Sequence, residues 1–383
     1  MLSLIFFEMK KLIKGKAFLG ALLTALLMLS GTYYIYFYQS RMSHNYLSNI
    51  PKQELIHMEQ ERARKHSGDL SDDLVQSIIT DYVKSAPKDE EMHFNNVFEW
   101  EVFNDFVENS HRKLEEIRVA AKKGETVSLD EFQMKSVDEL DTVVPKNELK
   151  LGQFLTWDSL YAVLNTVFAI TIIFSVFVVS PIFAGEISNG MSPLLLTTRF
   201  GRGRLSLAKF VAALAICCMS FILFYGLSIA IFAYCFGFEG WDTSVQLNLY
   251  WSLLGFPEKM NLLELSIGLT VVHFISLLFV GGIVTLASCV TKSSMTAFAL
   301  STGILFAPDL LLKIVQVEWL SKFLMLFSLP TGKLEELLMY FSSKSGFYQN
   351  SLIANSLLIV GVRIGVMLLA FLFAYARVKR MRI

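Results

Sequence analysis

Apolar residues gather along this chain into six long stretches, at about 17–38, 159–183, 209–236, 263–290, 295–314 and 352–376. Each reaches the ~20 residues that an α-helix needs to cross a ~30 Å hydrocarbon core. Lipid offers no hydrogen bonds, so helices of that length are what satisfies the backbone of such stretches. The pattern predicts an all-α integral membrane protein with six transmembrane helices.

Ahead of the first stretch, residues 1–16 set Leu2, Leu4, Ile5, Phe6, Met9, Leu12 and Ile13 against Glu8, Lys10, Lys11 and Lys14. This suits an amphipathic helix lying in the membrane interface, with Gly15 allowing a bend; a plain charged lead-in is the alternative. The first stretch is too long for the core of a cleaved signal peptide and ends in Tyr33, Tyr34, Tyr36 and Tyr38, an aromatic belt. Residues 39–158 are helix-patterned. Stripes at Leu74, Ile78 and Tyr82, and a run from Val97 and Phe98 through Phe103, Phe106, Leu114 and Ile117, predict a small helical domain. The second run reads as one longer helix, its aromatic face packed inward or turned to the membrane or a partner. Ser128 and Glu131 have capping-box spacing.

Charge orients the spans. The segment before the first stretch, the second-to-third and fourth-to-fifth connections, and the C-terminal tail hold, with Lys209 at the head of the third stretch, 13 Lys/Arg against only Glu8 and Glu186. Residues 39–158 hold 24 Asp/Glu against 15 Lys/Arg, a net of 15 − 24 = −9. The positive-inside rule then puts both termini in the cytoplasm and residues 39–158 outside. The formal net charge of +0 conceals this polarity. Composition agrees, with 54% apolar residues and a mean hydropathy of +0.49. Cys217, Cys218, Cys235 and Cys289 all lie in or at the ends of spans, and no N-x-[ST] glycosylation acceptor occurs, which favours a bacterial plasma membrane.

Two connections carry more than a turn requires. Residues 184–208 read AGEISNGMSPLLLTTRFGRGRLSLA, in which Ser188, Asn189 and Gly190 can end the second span and Pro193 can open a short helix before a basic run. That suits either docking into a groove on another protein or an ordinary basic loop. Residues 316–350 hold an apolar run too short to cross, at Trp319, Leu320, Phe323, Leu324, Leu326 and Phe327. A turn at Pro330 and a second helical stripe follow. Helices dipping back into the bilayer, or resting on it, both fit.

Together these features resemble the membrane subunit of a type-2 ATP-binding-cassette (ABC-2) exporter, in the branch with a large extracellular insertion between the first two spans. The resemblance rests on the interfacial helix, the six spans, the sequence from Phe183 through Glu186, Gly190, Leu194 to Leu196, Arg202, Arg204 and Lys209, and the dipping helices before the last span. It implies that residues 184–208 form a coupling helix touching an ATPase subunit, through Glu186, Gly190, Arg199, Arg202, Arg204 and Lys209. It also implies a second permease, as homodimer or heterodimer, and a bilayer around both. A peptide, amphiphile or similar cargo would leave the cell. No nucleic acid partner is expected.

The chain itself has no G-x-x-x-x-G-K-[ST] phosphate loop, so ATP and Mg are expected on the partner and no cofactor here. Zinc-protease, serine-hydrolase and membrane carboxylate-protease motifs are missing as well, and an enzyme is not expected. A non-transporting sensor or immunity protein is the other functional class that fits. Inside the spans a charge costs ~2.5–3.5 kcal/mol on insertion scales. Arg363, Asp309, His273 and Glu264 are therefore candidate intramembrane polar sites; an Arg363–Asp309 pair would be either a lock around a pathway or a structural ion pair.

Overall fold

The computed structural model describes residues 1–40, 51–84, 97–125, 127, 132–191, 194, 197, 203–249, 253–331, 338, 342, 346–348 and 351–380. Arg199, Arg202, Pro193 and the Ser128–Glu131 spacing lie outside the described residues. Six described helices are long and apolar enough to cross a membrane.

Helix α1 (Leu2–Ile13) precedes the first span, α2 (Lys16–Tyr33), which ends in a π-helical turn over Tyr34–Tyr38. An insertion follows, with α3 (Lys52–Lys65), α4 (Asp72–Lys84), α5 (Val97–Phe106) and α6 (Ser110–Lys123). The second span is α7 (Leu155–Val179), continued by the short α8 (Pro181–Ser188). Then come α9 (Arg204–Phe236), α10 (Leu262–Val290), α11 (Ser294–Leu312), the short α12 (Glu318–Met325) and the last span, α13 (Leu352–Arg380).

Helix α7 is apolar on every side because it sits at the centre, packed on α2, α9 and α10. Helix α10 holds α13 along much of its length, and two glycines explain how closely it is approached. A Cβ at Gly281 would meet Cys217 Sγ of α9 at 3.0 Å, and one at Gly282 would meet Met367 Cγ of α13 at 3.0 Å. Small residues at such crossings replace hydrophobic driving force with close packing, which is what lipid leaves available. Helices α2, α11 and α13 keep apolar residues such as Leu27, Met295 and Phe373 exposed, as lipid-facing surfaces require. Helix α1 lies along α9 and exposes Leu2, Phe6 and Phe7.

The insertion's aromatic residues form its own core. Phe98, Phe103 and Phe106 are fully buried, with Tyr82 and Trp100 around Phe103, each full burial being worth ~1.5–3 kcal/mol. They do not face the membrane. The single longer helix expected from Val97 onward is broken between Phe106 and Ser110, where Val107 pairs with Met134 in a β-bridge and Asn109 turns at φ 54°. Backbone pairing with 133–135 satisfies that break, a long-range contact that helical periodicity cannot show. A two-stranded antiparallel pair, β1 (Gly68–Asp69) with β2 (Lys150–Leu151), and the Gln60 amide donating to the Phe236 carbonyl at 2.5 Å fasten the insertion to the spans.

Glu59 of α3 accepts from the Val97 and Phe98 amides, which begin α5, at 3.1 and 3.4 Å, and pairs with Arg62 at 3.0 Å. Burial nevertheless pushes its carboxyl up to about 7, with Glu99 adding to the rise, while Arg62 and the amides pull it down. A carboxyl raised in the fold contributes its full stability below the unfolded value near 4.5 and loses it as pH rises through about 7. The loss at neutral pH is of order 3 kcal/mol. Asp105, raised by burial to about 6, slopes the same way. Glu59→Gln is expected to flatten the fall in thermal unfolding midpoint between pH 5 and pH 8 relative to wild type; an unaltered slope would contradict the assignment.

Candidate functional site

Two buried polar networks lie within the helical bundle, one at the end away from the insertion and one at mid-depth. The first centres on Lys209. In helical phase with Ser206, Ala213 and Ile216, all buried, it points into the bundle while Arg204 and Leu207 remain exposed. Its ammonium donates to Glu8 Oε2 at 2.9 Å, Glu186 Oε1 at 2.5 Å and the Ile182 carbonyl at 3.0 Å, which uses all three donors. Lys11 adds a second cation, 2.5 Å from Glu186 Oε1 and 4.0 Å from Glu8 Oε2. Two carboxylates and two ammoniums thus balance, with Lys209 1%, Glu8 3% and Glu186 7% exposed. The ammonium also lies over the Phe183 ring, 5.4 Å from its centre.

Helix α8 is clamped from the other side. Pro181 starts it without an amide hydrogen, and the early amides of Phe183 and Ala184 donate to Ser288 Oγ of α10, both at 3.0 Å. Ser288 in turn donates to the Ser180 carbonyl at 2.6 Å. Helices α1, α8, α9 and α10 are therefore tied at one point, immediately before the 189–203 connection. Gly190, at φ +69°, turns the chain out of α8.

Glu186 and Lys209, which the family resemblance offers as contact residues for a partner, are buried in the chain, bonded to each other, with Lys209 also on Glu8. Charges this costly to desolvate are held where they find counter-charges. Arg204 is exposed at the start of α9. Sequence reading missed Glu8 and Ser288, although a lone acid among the apolar residues of a lysine-rich helix was a usable signal.

The second network surrounds a turn that enters the bundle. His273 and Arg363 each stand eleven residues into their helices, about 16 Å along the axis. The 328–330 turn reaches them there. Arg363 donates to the Ser328 carbonyl and to Ser276 Oγ, and His273 Nε2 lies 3.0 Å from the Pro330 carbonyl. Non-helical backbone at this depth must find donors within the protein, and these two side chains supply them. Tyr225 OH meets His273 Nδ1 at 2.7 Å, and Phe168 stacks on the imidazole.

Asp309 accepts from Ser328 Oγ, so Arg363 and Asp309 are joined through Ser328 rather than paired directly. Glu264 takes no part. It is exposed in the first turn of α10, where it and Asn261 cap one another in a capping box, as the free amides of a helix start favour.

The family model described as ABC-2 family transporter protein matches residues 2–381, and the chain belongs to that family. No curated protein and no solved structure gives a significant match. The family is one of multi-pass membrane transport subunits that work with a separate ABC ATPase.

Proposed function

We propose that this chain is the permease subunit of an ATP-driven exporter in a bacterial cell membrane, with both termini and the 184–208 connection in the cytoplasm. The ion cluster around Lys209 carries the reading, since it makes α1, α8 and α9 one mechanical unit directly at the connection that a partner ATPase would push. Gly190, Arg199, Arg202 and Arg204 form the contact in this reading, whereas Glu186 and Lys209 transmit it inward. A push on the hairpin then moves the spans as rigid bodies, which can open a pathway at the far end. ATP and Mg bind to the partner, and a second permease, identical or related, completes the pathway. The cargo is a peptide or amphiphile.

Tagged chain expressed in its native host is expected to retain an ABC ATPase, identified by mass spectrometry, with measurable ATP hydrolysis in the purified complex. Reversing the charges in Arg199→Glu/Arg202→Glu is expected to lower its recovery at least about fivefold, the ~1 kcal/mol or more of exposed charge contacts. Equal recovery and turnover would remove the coupling assignment. Recovery of a ligand-responsive signalling partner and no ATPase would favour a sensor.

A further inference from the structure

Between the first half of α10, the start of α13, the entering 325–330 segment and Leu338 lies a cavity of about 500 Å³. It is lined by apolar side chains, Leu265, Val272, Leu357 and Val360 among them, apart from Ser328, Ser356 and Arg363. Arg363 is 3% exposed, and its two bonded nitrogens meet neutral oxygens only. Its Nε has no partner among the described residues. Asp309, the acid on the other side of Ser328, accepts from its hydroxyl through Oδ1 and keeps Oδ2 without a partner among the described residues, but it is not in direct ion-pair contact with Arg363. A guanidinium at mid-span with no carboxylate bonded to it among the described residues, at the wall of an apolar cavity and reached by Asp309 only through Ser328, is a charge that a directly bound anion would neutralise further.

The geometry points to this cavity as a binding site for a single-chain anionic amphiphile, with its head on Arg363 and its chain among the apolar residues of α10 and α13. Charge complementarity selects the head, because Arg363 lines the cavity with no carboxylate bonded to it among the described residues, in a place where a charge-assisted hydrogen bond meets little competition from water. The apolar walls select the tail. A volume in the lower half of the ~300–1,000 Å³ range of small-molecule sites favours one chain over two. A neutral lipid tail could fill the same walls but would leave Arg363 unmet. The inference deepens the transport reading by naming a ligand class, yet binding itself needs neither ATP nor a partner.

The test uses the full chain purified in a non-ionic detergent and a long-chain fatty acid carrying a mid-chain diazirine, beside its methyl ester and a lysophosphatidic acid with the same chain. After illumination, the free acid is expected to label peptides from 262–275 and 352–363 about tenfold more than the ester, the worth of one charge-assisted contact. Arg363→Gln should bring that ratio close to one, and Arg363→Lys should retain most of it. Gly268, whose Cβ would meet nothing within 4 Å, offers a second variant: Gly268→Phe fills the chamber without touching Arg363 and should lower labelling by both acid and ester. Stronger labelling by the phosphate head than by the carboxylate would support the anionic site and assign its ligand to phospholipid-derived compounds. Equal labelling by acid and ester in wild type, or an unchanged ratio in a monodisperse Arg363→Gln, overturns the proposal. ATPase recovery unaffected by that failure would leave the permease reading standing, and labelling without ATPase recovery would do the reverse.

Discussion

Lys209→Met is expected to destabilise the membrane bundle by about 3–5 kcal/mol, the cost of breaking a buried ion network from one side. The loss comes from what stays behind. Glu8 and Glu186 would remain desolvated with the exposed Lys11 as their one cation, giving the cluster a net charge of −1 where its two ammoniums and two carboxylates balance in wild type. The variant should therefore unfold at a markedly lower temperature in detergent and lose the fixed relation of α1 to α8. Adding Glu8→Gln restores neutrality and should recover about half of the lost stability or more, because the two residues are bonded to each other and their effects are not additive. Lys209→Arg should fail to substitute, since a planar fork cannot reach Glu8, Glu186 and the Ile182 carbonyl as three ammonium hydrogens do. A Lys209→Met protein as stable as wild type would show that the cluster locks nothing.

Gly240→Ala is the second large effect. The residue sits at φ +74° in the turn after α9, and a Cβ there would come within 2.0 Å of the Gln153 carbonyl oxygen and 2.8 Å of its carbon. Backbone cannot swing aside as a side-chain tip can. The left-handed conformation costs about 1–2 kcal/mol for an L-residue, and forced repacking adds about 1–3 kcal/mol. That turn also carries the Glu239 carbonyl that accepts from Trp157 Nε1 at 2.8 Å, so displacing it loosens the start of α7. Gly237→Ala provides the comparison, having φ +67° but no atom within 4 Å of its Cβ. The Gly240 variant should fall well below the Gly237 variant in unfolding midpoint. Equal midpoints would mean that the close approach to Gln153 adds nothing beyond backbone strain of the kind that Gly237, at φ +67° and ψ −157°, carries alone.

The six spans were legible in the sequence because each is a continuous apolar run, and a run of that length has one way to satisfy its backbone in lipid. The predicted 263–290 and 352–376 stretches differ from α10 and α13 by a few residues at most, where charged ends let a helix extend into water. The break at Val107 was not legible, because the residues that cause it, 133–135, are distant in sequence and pair through backbone. Nor was the exclusion of Glu264, which depends on where a helix begins rather than on how deep its residues lie.

The polar sites divide in the same way. Lys209 stood out as a charge at the edge of an apolar stretch, and its phase with Ser206, Ala213 and Ile216 could have marked it as inward-facing. Its partners could not be read, since Glu8 lies 201 positions away and Glu186 lies across a connection. Arg363 and Asp309 were recognisable as costly within hydrocarbon, but the residue that links them, Ser328, belongs to a turn whose depth no local pattern encodes.

The sequence by itself determined how many times the chain can cross a bilayer and which short segments carry the charge. Those properties follow from local composition, because transfer of a helix into lipid sums over consecutive residues. Only the tertiary structure decided which charges are hidden, which carbonyls Arg363 and His273 satisfy, and where a chamber is left open. Those outcomes depend on pairwise distances of a few ångströms between residues far apart in the chain, which packing sets and periodicity does not.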